Sequence, residues 1–134
     1  MKLVTFKNDE NYRIGTLIDE NSIIDLTSLI STKSLTASEL LQCFDLESGF
    51  LQKAKSYLAQ DSAKTIYRKQ DVKIAPPVPR PGKIICVGLN YRDHAEESGM
   101  AIPTSPITFS KYVTCIVGAN DEIIVPSKSE QTDY

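Results

Sequence analysis

The hydrophobic and polar positions of this chain change rhythm along its length, and each rhythm predicts a different kind of element. From Lys2 to Lys7 (KLVTFK) β-branched and aromatic residues alternate loosely with polar ones, Asn8 to Asn11 is turn-rich, and Tyr12 to Ile18 resumes a strand-like composition. This pattern predicts an antiparallel hairpin. A second turn, Asp19 to Ser22, precedes Ile23, Ile24 and Leu26, which extends the hairpin into a meander. Gly15, inside the second strand, predicts a bulge and not a phosphate site. The period then becomes helical. Thr36 and Glu39 form an S/T-x-x-E capping box ahead of Leu40 and Leu41. Leu46, Phe50, Ala54 and Leu58 recur at intervals of four and predict an amphipathic helix whose apolar stripe belongs to the core.

Ala75 to Gly82 (APPVPRPG) is too stiff and too poor in backbone donors for a helix or a central strand, and reads as an extended linker. Beyond it Lys83 to Val87 (KIICV) predicts a buried strand. Asn90 to Ser98 predicts a helix capped by Gly99, and Ile107–Phe109, Val113–Val117 and Ile123–Val125 predict strands, the last pair joined through a turn at Gly118 to Glu122. The resulting division is a small N-terminal α+β domain over 1–71, a Pro-rich linker over 72–82 and a second domain over 83–134.

Composition narrows the function classes. The chain has 134 residues, 41% hydrophobic and 24% charged, as expected of a globular protein. Fifteen Lys and Arg against 17 Asp and Glu leave no basic footprint for nucleic acid. No run reaches the ~20 apolar residues of a membrane span, so neither nucleic acid nor membrane is an expected partner. Three cysteines, at 43, 86 and 115, are odd in number and form no CxxC pair, which fits reduced thiols; Cys43 and Cys86 sit in apolar runs as buried fillers. With no signal peptide visible before Asn8, the expected location is cytoplasmic.

The single histidine, His94, rules out a multi-histidine zinc site. Glu97 follows it by three positions, so on a helix the two share a face, and an imidazole oriented by a carboxylate is a good general base near neutral pH. Spacing alone describes a solvated helix face equally well. Lys111, after the apolar run Ile107–Phe109, could pair with an anionic substrate or be a snorkelling edge lysine. No G-x-G-x-x-G or P-loop is present, and nucleotide binding has no support.

Four separated stretches carry a family resemblance. Arg80 to Glu97 (RPGKIICVGLNYRDHAEE), Pro106 to Lys111 (PITFSK), Ile116 to Gly118 (IVG) and Asp121 to Pro126 (DEIIVP) together resemble the start of the catalytic domain of the fumarylacetoacetate hydrolase family, in its branch of small domain proteins and bacterial 2-keto acid hydrolases, hydratases and isomerases. The resemblance implies a mixed β-roll catalytic domain after a small variable N-terminal one. It implies Mg²⁺ or Mn²⁺ held by carboxylates, a small 2-oxo or β-diketo acid as substrate, and a homodimer. Carried over by position, His94 and Glu97 match the family's catalytic pair and Lys111 a lysine near the substrate, while Tyr91 and Arg92 fall in the family's lid segment without an assigned role. In the family an E-x-E pair follows the segment matching Thr132-Asp133-Tyr134 and supplies two metal ligands, with an Asp further on. Glu122 and Glu130 do not occupy those positions. The resemblance therefore implies the N-terminal portion of a metal-dependent enzyme catalysing C–C hydrolysis, decarboxylation, hydration or isomerisation. The alternative is a truncated, non-catalytic module that acts in folding or interaction.

Overall fold

The computed structural model describes residues 1–31 and 33–130, which form two compact units: one from Met1–Pro79 together with the described residues from Val117 onward, the other from Arg80–Ile116. The Pro-rich segment carries the division, since prolines cannot continue a strand ladder. Residues 117–130 group with the first unit, whereas the sequence places them in one domain with 83–116. The secondary structure is α+β throughout.

In the first unit β1 (Leu3–Asn8), β2 (Asn11–Leu17) and β3 (Ser22–Asp25) form the predicted meander, with Leu26 just past its end. Two short strands absent from the sequence reading complete the sheet. β4 (Ile66–Arg68) pairs with β3, and β5 (Lys73–Ile74) pairs with β1, giving the antiparallel order β4-β3-β2-β1-β5. The β1–β2 register runs unbroken from Leu3↔Thr16 to Asn8↔Asn11, so Gly15 is not a bulge. Its requirement is steric: a Cβ there would lie 2.5 Å from Ile23 Cγ2 and 2.6 Å from the carbonyl oxygen of Ile24. Because the obstacle includes backbone of the paired strand, Gly15→Ala is expected to destabilise the protein by about 2 kcal/mol. Urea denaturation checks this, with Gly88→Ala as the comparison, since a Cβ at Gly88 meets nothing closer than 3.7 Å.

One face of this sheet packs on the two longer helices, α1 (Ala37–Phe44) and α2 (Phe50–Ala59). The capping box forms as predicted: Thr36 Oγ1 accepts from the Glu39 N–H at 3.3 Å and Glu39 Oε2 accepts from the Thr36 N–H at 2.8 Å. Leu40, Cys43, Phe50 and Ala54 bury against Ile14, Ile24, Leu26 and Leu35. Leu46 leaves the predicted stripe and is 82% exposed, because Gly49 at φ 71° starts α2 afresh on a different axis. Cys43 is the expected filler. Its thiol donates to the Glu39 carbonyl at 3.2 Å, and burial pushes its pKa up to about 11, which leaves little nucleophilic thiolate at neutral pH.

On the other face Phe6 and Tyr67 stack at a tilt, 5.3 Å between centroids, and the Arg13 guanidinium lies 5.9 Å from the Tyr67 ring. Asp25, only 7% exposed, accepts from Arg13 Nη1 at 2.6 Å and from the Thr27 N–H at 2.8 Å. The Thr27 hydroxyl in turn accepts from the Ile14 N–H at 3.1 Å, so these side chains satisfy the backbone where β3 ends.

Residues 117–121 join this unit through Lys73 Nζ, 2.6 Å from Asp121 Oδ1. Asp121 Oδ2 accepts from the Gly118 N–H at 2.7 Å, and Lys73 followed by that N–H holds the carboxyl below its ordinary range. The strands predicted here do not form: Val113–Cys115 is a 3₁₀ turn and 123–125 is irregular, since β-branched residues make strands only where a partner edge pairs with them.

The second unit is a ribbon of β6 (Ile84–Gly88) and β7 (Ile107–Lys111) with the short helix α3 (Arg92–Glu97) between them. The ladder runs antiparallel from Ile84↔Lys111 to Gly88↔Ile107. β6 is not the buried strand its composition predicts: Ile85 is 65% exposed and Cys86 only half-buried, because two strands cannot cover both of their faces. The helix end follows the prediction. Gly99 takes φ 63°, its N–H donates to the Glu96 carbonyl at 3.0 Å and the Met100 N–H to the Ala95 carbonyl at 2.9 Å, the paired bonds of a Schellman motif.

Candidate active site

The functional candidates gather where β6 hands the chain to α3. Leu89 follows the last residue of β6 and has φ 49°, a left-handed conformation costing an L-residue roughly 1–2 kcal/mol. The turn it makes is fixed by the pairing beside it, since Gly88 is held opposite Ile107. Tyr91 then opens α3 from an extended backbone, without a side-chain cap.

This turn and the returning segment 102–107 border an open cavity of about 330 Å³, lined by residues 87–90, Arg92 and 102–107. Val87, Leu89, Ile102, Ile107 and two prolines give it an apolar wall. Asn90, Thr104 and Ser105 add neutral polar groups, and Arg92 supplies the charge. Apolar walls with a few polar groups are the usual makeup of a small-molecule site, and this volume lies at the small end of the ~300–1,000 Å³ range.

His94 and Glu97 both lie on α3 and both are exposed. At about 100° per residue they project about 60° apart, so the helix presents them together, although no hydrogen bond joins their side chains. Arg92 precedes His94 by two positions, about 200° round the helix. One short helix thus carries both the cavity's cation and the candidate base with its carboxylate. Lys111 pairs opposite Ile84, at the end of the ladder remote from the turn, about 13 Å along the strand from Ile107. Neither His94, Glu97 nor Lys111 lines the cavity. Sequence reasoning gave Arg92 no role, since its placement depends on 102–107 folding back onto the turn.

The described residues do not fit a divalent metal by themselves: no group of three or more His, Cys, Asp or Glu side chains comes together among them. Glu122 and Glu130 belong to no such group, and positions 132–134, next to which the family places its E-x-E pair, lie outside the described residues.

Residues 83–134 match the family model described as Fumarylacetoacetate (FAA) hydrolase C-terminal. Over these residues the chain is similar to the fumarylacetoacetate hydrolase family, as the four sequence stretches lead one to expect. Among curated relatives, the fumarylacetoacetate hydrolase domain-containing protein 2 homolog of Dictyostelium discoideum is 39% identical across the whole of this chain and 43% of its own length. The mitochondrial oxaloacetate tautomerase fahd2 of Xenopus laevis is 36% identical across the whole of this chain and 41% of its own length. A solved Mycobacterium smegmatis structure, described as HpcE, superposes with a TM-score of 0.61 at 28% identity, over 92% of this chain and 40% of that one. The chain therefore spans about two fifths of the length of these relatives.

The expectation of a cytoplasmic location does not stand. The relatives from Xenopus laevis and Bos taurus are named as mitochondrial proteins, and the expectation rested only on the lack of a visible signal peptide. Among the described residues no helix is long and apolar enough to cross a membrane.

Proposed function

We propose that this chain supplies the general-base helix and part of the substrate pocket of a fumarylacetoacetate hydrolase-family enzyme that isomerises a small 2-oxo acid between keto and enol forms. The observation that carries this reading is the 36% identity across the whole chain to a relative named as an oxaloacetate tautomerase. Of the reactions the family resemblance allows, tautomerisation asks least of the protein: a proton leaves the carbon next to the carbonyl and a proton is added to the carbonyl oxygen, with no bond between heavy atoms broken. A base able to take up and return a proton near neutral pH suffices, and His94 beside Glu97 is the chain's candidate.

The Mg²⁺ or Mn²⁺ implied by the resemblance finds no ligand set among the described residues, so the reading assigns this chain proton handling and substrate contact alone. Calorimetric titration with Mg²⁺ and oxalate, an enolate mimic, tests the assignment. The 134-residue chain is expected to give no coupled heat. The same chain joined to the segment that follows the matched region in the Xenopus laevis relative is expected to bind metal and oxalate cooperatively and to accelerate decay of the oxaloacetate enol absorbance. A joined protein that binds metal and oxalate yet leaves the enol decay at its buffer rate would refute the tautomerase reading.

A further inference from the structure

The cavity at the β6–α3 turn has one chemical feature that the proposed reaction does not use. Of the described residues lining it, Arg92 alone is charged, and no lining residue is acidic. No carboxylate of the described residues forms an ion pair with Arg92, including Glu96 one turn further along α3. Four cations elsewhere are paired among the described residues, Lys7 with Glu10, Arg13 with Asp25, Arg68 with Asp71 and Lys73 with Asp121, so what sets Arg92 apart from the remaining unpaired ones is its place on the cavity lining. A planar guanidinium at the edge of a small cavity, with Asn90, Thr104 and Ser105 as neutral hydrogen-bonding neighbours, matches a carboxylate, which it can grip through two parallel N–H bonds.

A tautomerase needs only the 2-oxo end of its substrate to react, so a second anionic group would be read for selectivity. We propose that Arg92 is a specificity-determining residue that binds the carboxylate remote from the reacting carbonyl and so selects dicarboxylic over monocarboxylic 2-oxo acids. The inference rests on the reading given above for the substrate class, but its binding component stands on the cavity itself. Lys111, the cation singled out by the resemblance, lies at the other end of the ribbon and does not line this cavity.

The test uses the 134-residue chain as it is, with succinate as the probe, because succinate has two carboxylates and no 2-oxo group to recruit a metal. Amide NMR of the ¹⁵N-labelled chain, titrated without metal, is expected to show saturable millimolar shifts confined to the non-proline residues of 87–92 and 102–107. Arg92→Gln should weaken that binding roughly five- to tenfold while leaving the remaining amides in place, Arg92→Lys should lie between, and propionate should bind wild type several-fold more weakly than succinate. Saturable shifts that are equal in wild type and Arg92→Gln, or centred on Lys111, would overturn the proposal, as would no saturable shift in wild type. Failure of the tautomerase reading has a different signature: Arg92-dependent succinate binding would persist while the joined protein left enol decay at its buffer rate.

Discussion

His94→Ala is expected to lower kcat for oxaloacetate tautomerisation by roughly 10²- to 10⁴-fold in the active protein, with KM changing far less. His94 is the only imidazole in the chain, so no neighbouring histidine can take over its proton. A residue that moves a proton without anchoring the substrate loses kcat and leaves KM largely unchanged. Adding imidazole to the His94→Ala protein should restore part of the rate, which a purely structural role would not predict. Glu97→Gln should cost less than His94→Ala, since the structure shows the pair sharing a helix face without a hydrogen bond between them. A variant with wild-type kcat and an unaltered pH–rate profile would make His94 a solvated helix side chain and nothing more.

Asp25→Ala is expected to destabilise the first unit by roughly 3 kcal/mol and to lower its melting temperature by about 12–24 °C, without altering the second. Asp25 is almost wholly buried and satisfies both the Arg13 guanidinium and the Thr27 backbone. Removing it strands both donors. Arg13 Nε is already buried without a partner, so this guanidinium has little spare hydrogen bonding to lose. Arg13→Ala should cost less than Asp25→Ala, because it leaves a carboxylate that still accepts from Thr27. Thermal unfolding followed by far-ultraviolet circular dichroism measures both. A loss below about 1 kcal/mol for Asp25→Ala would mean that water replaces the carboxylate as acceptor.

Which features were legible in the sequence follows from how far each interaction reaches along the chain. Thr36 with Glu39, and Gly99 and Met100 with the carbonyls of Glu96 and Ala95, lie no more than five positions apart, and both caps formed where the sequence put them. β4 and β5 were missed because their few residues carry no pattern of their own; they become strands by pairing with Ser22–Ile24 and Phe6–Lys7, more than forty residues away. The converse error occurred at Val113–Val117 and Ile123–Val125, where strand-forming residues found no edge to pair with among the described residues. Gly15 looked like a backbone irregularity, and its cause is the crowding of Ile23 and Phe6 across the sheet. At the site, the His94–Glu97 spacing was readable because it is local. The cavity was not, because it exists only where Ile107 pairs back onto Gly88 and brings 102–106 over the turn.

The ribbon of β6 and β7 gives the two units different clocks. Amides of β1 and β2 are locked in the middle of a five-stranded sheet covered by helices, and exchange their protons only when that unit unfolds as a whole. The rungs from Ile84 to Gly88 belong to a two-stranded ladder whose outer edges pair with no other strand among the described residues, and such a ladder opens locally at small free-energy cost. The cavity therefore exists only in the closed fraction of that ribbon. A ligand seated there binds with an apparent dissociation constant equal to the intrinsic one divided by the closed fraction, so added contacts that hold the ribbon shut would tighten binding without touching the ligand.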